Sequence, residues 1–197
     1  MDQDERTRAN TMAEYRSGWV NECLPTASLD PASETGASSL IDWPRHNTNW
    51  KAAGEDVAET DSEIRDILER CETVAVVGIK DLETEDAYRV PQYLQTHGYR
   101  IVPVNPKLDN VLGHSAHPGL PEVEEPIDLV SVFRASDHIP AHVDEILAMS
   151  PRPAAVWLQL GIQNGAQAAR LRSAGVHVIQ DRCIMVEHKR LLARKSA

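Results

Sequence analysis

Four basic side chains stand where a small anion could be held. Lys80 follows the apolar run Thr73–Ile79, Lys107 closes Asn105-Pro106-Lys107, Arg134 follows Phe133, and Arg89 lies further along from Lys80. Ammonium and guanidinium groups gathered on one rim bind phosphates, the guanidinium with a planar fork that matches two oxygens. Gly78 permits a sharp turn and lets a ligand come against bare backbone. Its N–H and those opening the next helix are further donors for an oxyanion. The candidate set is Gly78, Lys80, Arg89, Asn105, Pro106, Lys107 and Arg134, with Ile79, Val104 and Phe133 flanking them in sequence. Each polar residue taken alone reads equally well as an ordinary loop residue. Their convergence on several strand ends is what argues for a binding site. The run after strand one has a single glycine, so the G-x-G-x-x-G dinucleotide fingerprint is absent and nicotinamide or flavin binding is disfavoured.

Other reactive types carry less. Cys183, in Asp181-Arg182-Cys183, falls near the same rim, where a thiolate favoured by Arg182 or a helix N-terminus could form a mixed disulfide with a thiol ligand. Its plain reading is a small buried hydrophobe. His138 and His142 stand four apart and His114 and His117 three apart, spacings at which two ligands meet one metal, but no third ligand is placed and no metal site is expected. Trp157 reads as core. There is no P-loop, nucleophile elbow or carboxylate pair, so binding is better supported than catalysis.

These residues need a frame. Asp61–Cys71 has Ile64, Ile67 and Leu68 at helical spacing, with Asp61 or Ser62 to cap it. Val74–Val77 is apolar throughout and suits a strand covered on both faces. Ala87–His97 reads as helix, with Pro91 either starting or bending it. Arg100–Val104 is strand two, and Leu108–Glu125 is mostly loop. Asp128–Phe133 is strand three, His138–Met149 a helix, Ala154–Leu158 strand four, Asn164–Ala174 a helix, Val176–Ile179 strand five and Ile184–Leu192 a last helix. Strands and helices alternate, so the class is α/β: three layers around a five-stranded, mainly parallel sheet. The default strand order is 3-2-1-4-5, with strand one central and the ligand at the carboxyl ends of the strands.

The chain has 197 residues and a formal net charge of -10, which disfavours nucleic acid and anionic membrane surfaces as partners. Cys23, Cys71 and Cys183 are too few and too scattered for a disulfide framework. No run is apolar enough to cross a bilayer, and MDQDERTRAN lacks the order of a signal peptide, so a reducing cytoplasm is expected. Residues 1–60 form a separate arm before a domain at 61–197. The arm is small and polar over Thr26–Ser39 yet holds Trp19, Trp43 and Trp50. Indoles are costly to leave in water, so the arm is expected to dock on its own domain or to join subunits into a homo-oligomer.

Taken in order, TVAVVGIK, HGYRIVPVNPK, DLVSVFR, VWLQLGIQN, AGVHVIQDRC and EHKRL resemble the small stand-alone CoA-binding proteins. Those are Rossmann-like domains similar to the CoA-binding domain of the succinyl-CoA synthetase α subunit. The resemblance covers about residues 63–192. It implies a Rossmann-like fold and coenzyme A or a short acyl-CoA lying across the strand ends, touched by Gly78–Lys80, Asn105–Lys107 and Phe133-Arg134. It implies binding without catalysis, since the ligases need a further domain. The alternatives are a CoA-dependent or thiol-redox enzyme using Cys183, and an interaction protein with a decayed pocket. Two departures stand out. Lys80 occupies a position where the family usually has serine. The following loop carries Asp81, Glu83, Glu85 and Asp86 where the family is usually basic and proline-rich.

Overall fold

The computed structural model describes residues 59–192. The expected arm, its tryptophans and Cys23 lie outside these residues, apart from Glu59 and Thr60, which are bonded into the fold. Helix α1 (Asp61–Arg70) opens on a capping box. The Thr60 hydroxyl accepts the Glu63 N–H at 3.3 Å, and the Glu63 carboxylate accepts the Thr60 N–H at 2.7 Å. Thr60 caps the helix in place of Asp61 or Ser62 because it is the last residue with extended backbone.

The strands are β1 (Thr73–Val77), β2 (Arg100–Val104), β3 (Asn110–Val111), β4 (His114–Ser115), β5 (Leu129–Val132), β6 (Ala155–Leu158) and β7 (His177–Ile179). The remaining helices are α2 (Asp86–Thr96), α3 (Ile139–Ala148), α4 (Gly165–Ser173) and α5 (Ile184–Leu191). Five strands form one parallel sheet in the order β2-β1-β5-β6-β7, while β3 and β4 make a separate antiparallel hairpin. This hairpin falls in the expected 108–125 loop.

The α/β class and the five parallel strands are as the alternation predicts; the order is not. Counting only the five main strands, it is 2-1-3-4-5 instead of 3-2-1-4-5. Pro103 explains why strand two cannot be flanked on both sides. A proline has no N–H for a ladder, so it belongs on an edge. The Pro103 carbonyl faces away from β1 and accepts the His117 N–H at 2.8 Å, so the missing donor lies on that outer side. Asp128 fixes strand three beside strand one, its carboxylate accepting the backbone N–H groups of Glu72 and Thr73, both at 2.9 Å. The switch point therefore falls between β1 and β5, where such a sheet opens a crevice at its carboxyl edge.

Alternate strand residues feed two cores. Val74, Val76, Ile101, Leu129, Trp157 and Ile179 pack with Ile64, Ile67, Val90, Leu94, Ile184 and Leu191 of α1, α2 and α5. Ala75, Val77, Val102, Val130, Val132, Val156 and Val178 pack with Ile139, Val143, Ile146 and Leu171 of α3 and α4. Burial on both faces is why the strands read as unbroken apolar runs. Leu120 and Ile127, in the connection from β2 to β5, cover the second core where a helix would otherwise lie. No helix among the described residues is long and apolar enough to cross a membrane.

Candidate functional site

The switch point between β1 and β5 is built around Gly78. Its φ is +81°, a region that side chains disfavour. A Cβ there would lie 2.7 Å from the Phe133 carbonyl oxygen and 2.7 Å from Arg134 Cδ. The aliphatic stem of Arg134 is thus laid across bare backbone at the switch point. Phe133 is half-buried and Arg134 exposed. Among the described residues, no hydrogen bond or ion pair engages the guanidinium of Arg134 or the ammonium of Lys107.

Gly78 N–H, one of the expected backbone donors, is already used, and so is the N–H of Lys80. Gly78 N–H donates to the Val104 carbonyl at 2.9 Å, and Lys80 N–H donates to the Ala87 carbonyl at 3.3 Å. The second bond has a covalent origin. Pro91 lies inside α2, which begins at Asp86 and runs through it. Having no N–H, Pro91 leaves the Ala87 carbonyl one turn earlier without its helical donor, and Lys80 supplies one.

The remaining expected residues divide. Ile79 packs in one core and Val104 in the other. Asn105 is 8% exposed; its amide donates to the Ile79 carbonyl at 2.6 Å and its side-chain oxygen accepts the Lys107 N–H at 2.9 Å. Ile79, Val104 and Asn105 therefore fix the loops after β1 and β2 to each other. Pro106 and Lys107 are exposed beyond them.

Lys80 and Arg89 are not free. Lys80 Nζ lies 3.6 Å from Glu85, and Arg89 lies 3.0 Å from Asp86. Half the cations at this end of the edge are thus answered by the acidic loop's own carboxylates. Asp86 is the first helical residue, and Glu85 takes the cap position without a side-chain cap bond. Ion pairs this exposed are worth about 0–1 kcal/mol each, so opening them costs little.

Cys183 sits at the far end of the same edge, after β7 and two strands from the crevice. It is half-buried against the first core and takes the cap position of α5. Gln159, also at a strand end, is wholly engaged: its amide donates to Ser131 Oγ at 3.0 Å and its oxygen accepts the Ile184 N–H at 3.2 Å. The histidine pairs are tied up separately, His114 to Gln95 at 3.0 Å, His117 to the Glu122 carbonyl at 3.1 Å and His142 to Glu145 at 3.2 Å. No group of three or more His, Cys, Asp or Glu side chains among the described residues is placed to hold a metal.

Comparison with known proteins bears on the family and the fold. A Bacillus subtilis relative, the uncharacterized protein YneT, is 39% identical over 127 residues, 64% of this chain and 93% of the relative. A solved Thermus thermophilus structure is 40% identical, with a TM-score of 0.65 over 68% of this chain and 100% of that one. A hypothetical protein from Pyrococcus horikoshii OT3 is 32% identical, with a TM-score of 0.65 over 71% and 99% of the two chains. The family described as CoA binding domain matches residues 72–189, which hold the whole sheet and its carboxyl edge. With its five-stranded parallel sheet lying wholly within that match, the chain belongs to the CoA binding domain family.

Proposed function

We propose that this protein binds coenzyme A or a short acyl-CoA across the carboxyl edge of its sheet and does so without catalysing a reaction on it. The supporting observation is the pairing of Gly78 with Arg134. A glycine at positive φ, where a Cβ would crowd a backbone carbonyl, lies under an arginine whose guanidinium pairs with nothing among the described residues, at the switch point of a sheet whose family is named for this ligand. In this reading the diphosphate meets Arg134 first, Lys107 reaches it from the loop after β2, and Lys80 and Arg89 join when Glu85 and Asp86 swing aside. The adenine end lies toward β2 and the pantetheine arm runs toward β6 and β7.

Titration calorimetry of the full chain against CoA, dephospho-CoA and NAD tests the reading. Saturable CoA binding, weaker for dephospho-CoA and weaker still for NAD, is expected. Binding of none of the three, or a preference for NAD, overturns it.

A further inference from the structure

We propose that the bound ligand is a CoA thioester carrying a small, uncharged aliphatic acyl group, and that Leu160 and Val186 form the shelf that receives that group. The inference rests on the CoA reading above and adds the substrate class. Among the described residues, the exposed large hydrophobic side chains are Leu82 at 57%, Leu160 at 71% and Val186 at 53%. All three belong to the carboxyl edge: Leu82 follows β1, Leu160 follows β6, and Val186 is in the first turn of α5, after β7. Single exposed apolar residues are ordinary on any surface. Here they gather on one edge of the sheet, the edge already argued to hold a ligand.

Leu160 and Val186 share a rigid ledge. Gln159 accepts the Ile184 N–H at 3.2 Å. Gly161 N–H donates to the Asp181 carboxylate at 2.6 Å, and Gln163 donates to its other oxygen at 2.9 Å. Asp181 N–H returns to the Ile162 carbonyl at 3.2 Å. Bonds on both sides of Leu160 thus join the turn after β6 to the turn that opens α5.

Charge is compensated along the whole edge, so apolar contact is what distinguishes its far end. Lys107, Lys80, Arg89 and Arg134 belong to the turns and helix at the β2, β1 and β5 ends, beside Asp81, Glu83, Glu85 and Asp86. The β6–β7 end carries Asp181, Glu187 and Arg182. Asp181 is held by Gly161 and Gln163, and Glu187 lies 2.6 Å from Arg190 and 3.9 Å from Arg182. A dicarboxylic acyl group arriving there brings a carboxylate to guanidiniums already engaged by Glu187 and Asp61, whereas an aliphatic one meets leucine and valine. The reach is right: three strand spacings from β1 to β7 are about 14 Å, and a pantetheine arm, with the backbone length of roughly four residues, spans about 13–14 Å extended.

Equilibrium binding of CoA, butyryl-CoA and succinyl-CoA to the full chain decides the matter. Butyryl-CoA is expected to bind about ten-fold more tightly than CoA, the gain from burying roughly two methylene equivalents, and succinyl-CoA no more tightly than CoA. The double variant Leu160→Ser, Val186→Ser should bring the butyryl-CoA to CoA affinity ratio to about one; both residues are exposed, so its circular dichroism should match the parent. Failure of every ligand to bind removes the CoA reading itself. CoA binding with a ratio of one in the parent, a ratio unmoved by the serines, or succinyl-CoA matching butyryl-CoA removes the shelf and leaves the CoA reading standing. A dimer lost in the serine variant, together with a ratio of one, gives the shelf to a second copy of the chain and also overturns the proposal.

Discussion

Gly78 and Arg134 divide the work at the crevice between space and charge. Gly78→Ala places a methyl 2.7 Å from a backbone carbonyl at a positive φ, so it should cost about 1–3 kcal/mol of stability and displace Arg134. Chemical denaturation reads the first effect and CoA titration the second. Arg134→Ala removes a charge without a partner to orphan, so its unfolding midpoint should stay within about 0.5 kcal/mol of the parent while CoA affinity falls about ten-fold or more. Glu85→Gln is expected to act in the opposite direction. It releases Lys80 from a 3.6 Å pair and should tighten CoA binding by up to about five-fold, with an effect that shrinks as salt is raised. Loss of affinity in Glu85→Gln would show that the acidic loop supports the ligand instead of competing with it. Cys71, buried under α1, has its thiol pushed up to about 12 by burial and is chemically quiet.

Helix α2 shows what a one-residue irregularity does at the next scale. Its Pro91 turns an intrahelical bond into the link that holds the Lys80 loop. The same helix meets α5 through Tyr93, whose hydroxyl lies 2.9 Å from His188 Nδ1, with the His97 and Tyr99 rings edge-on to His188 and Lys189 over Tyr93. Burial, and secondarily the neighbouring His97, hold the His188 imidazole below its ordinary 6.5; burial does the same to His177. As pH falls through 6.5 the unfolded chain takes up these protons before the folded one, so stability should decline from that point downward and be flat above it. Urea midpoints between about pH 7.5 and 5.5 should show this, with a shallower slope in His188→Gln, which cannot charge. Strands and helices are legible in the sequence because periodicity and burial on both faces leave direct marks. The strand order was misread although its clue, Pro103 inside RIVPV, was in plain view. Asp128 gave no such clue: its two bonds to Glu72 and Thr73 span more than fifty residues. The engagement of the Gly78 and Lys80 N–H groups was likewise illegible, since each partner is a backbone carbonyl fixed only by the tertiary fold.

For the whole molecule, the ends of the described chain and of the sheet support each other. Glu59 accepts the Val178 N–H at 3.2 Å on the outer edge of β7 and pairs with Arg172 at 3.3 Å, so the last strand is not left open. Glu59→Ala should cost about 1–3 kcal/mol, because the buried Val178 N–H loses its acceptor, while Arg172 keeps the Val178 carbonyl. The net charge of -10 makes a polyanionic ligand an improbable guest in general. The proposed binding therefore depends on the local cations of one edge, and the location of the ligand is the claim everything else depends on. Amide chemical-shift mapping of the isotope-labelled full chain during CoA titration tests it most directly. The account predicts that Gly78, Lys80, Lys107, Phe133 and Arg134 move together and saturably, while Glu59 and Val178 stay still. Saturable shifts elsewhere, with these five unmoved, would contradict it.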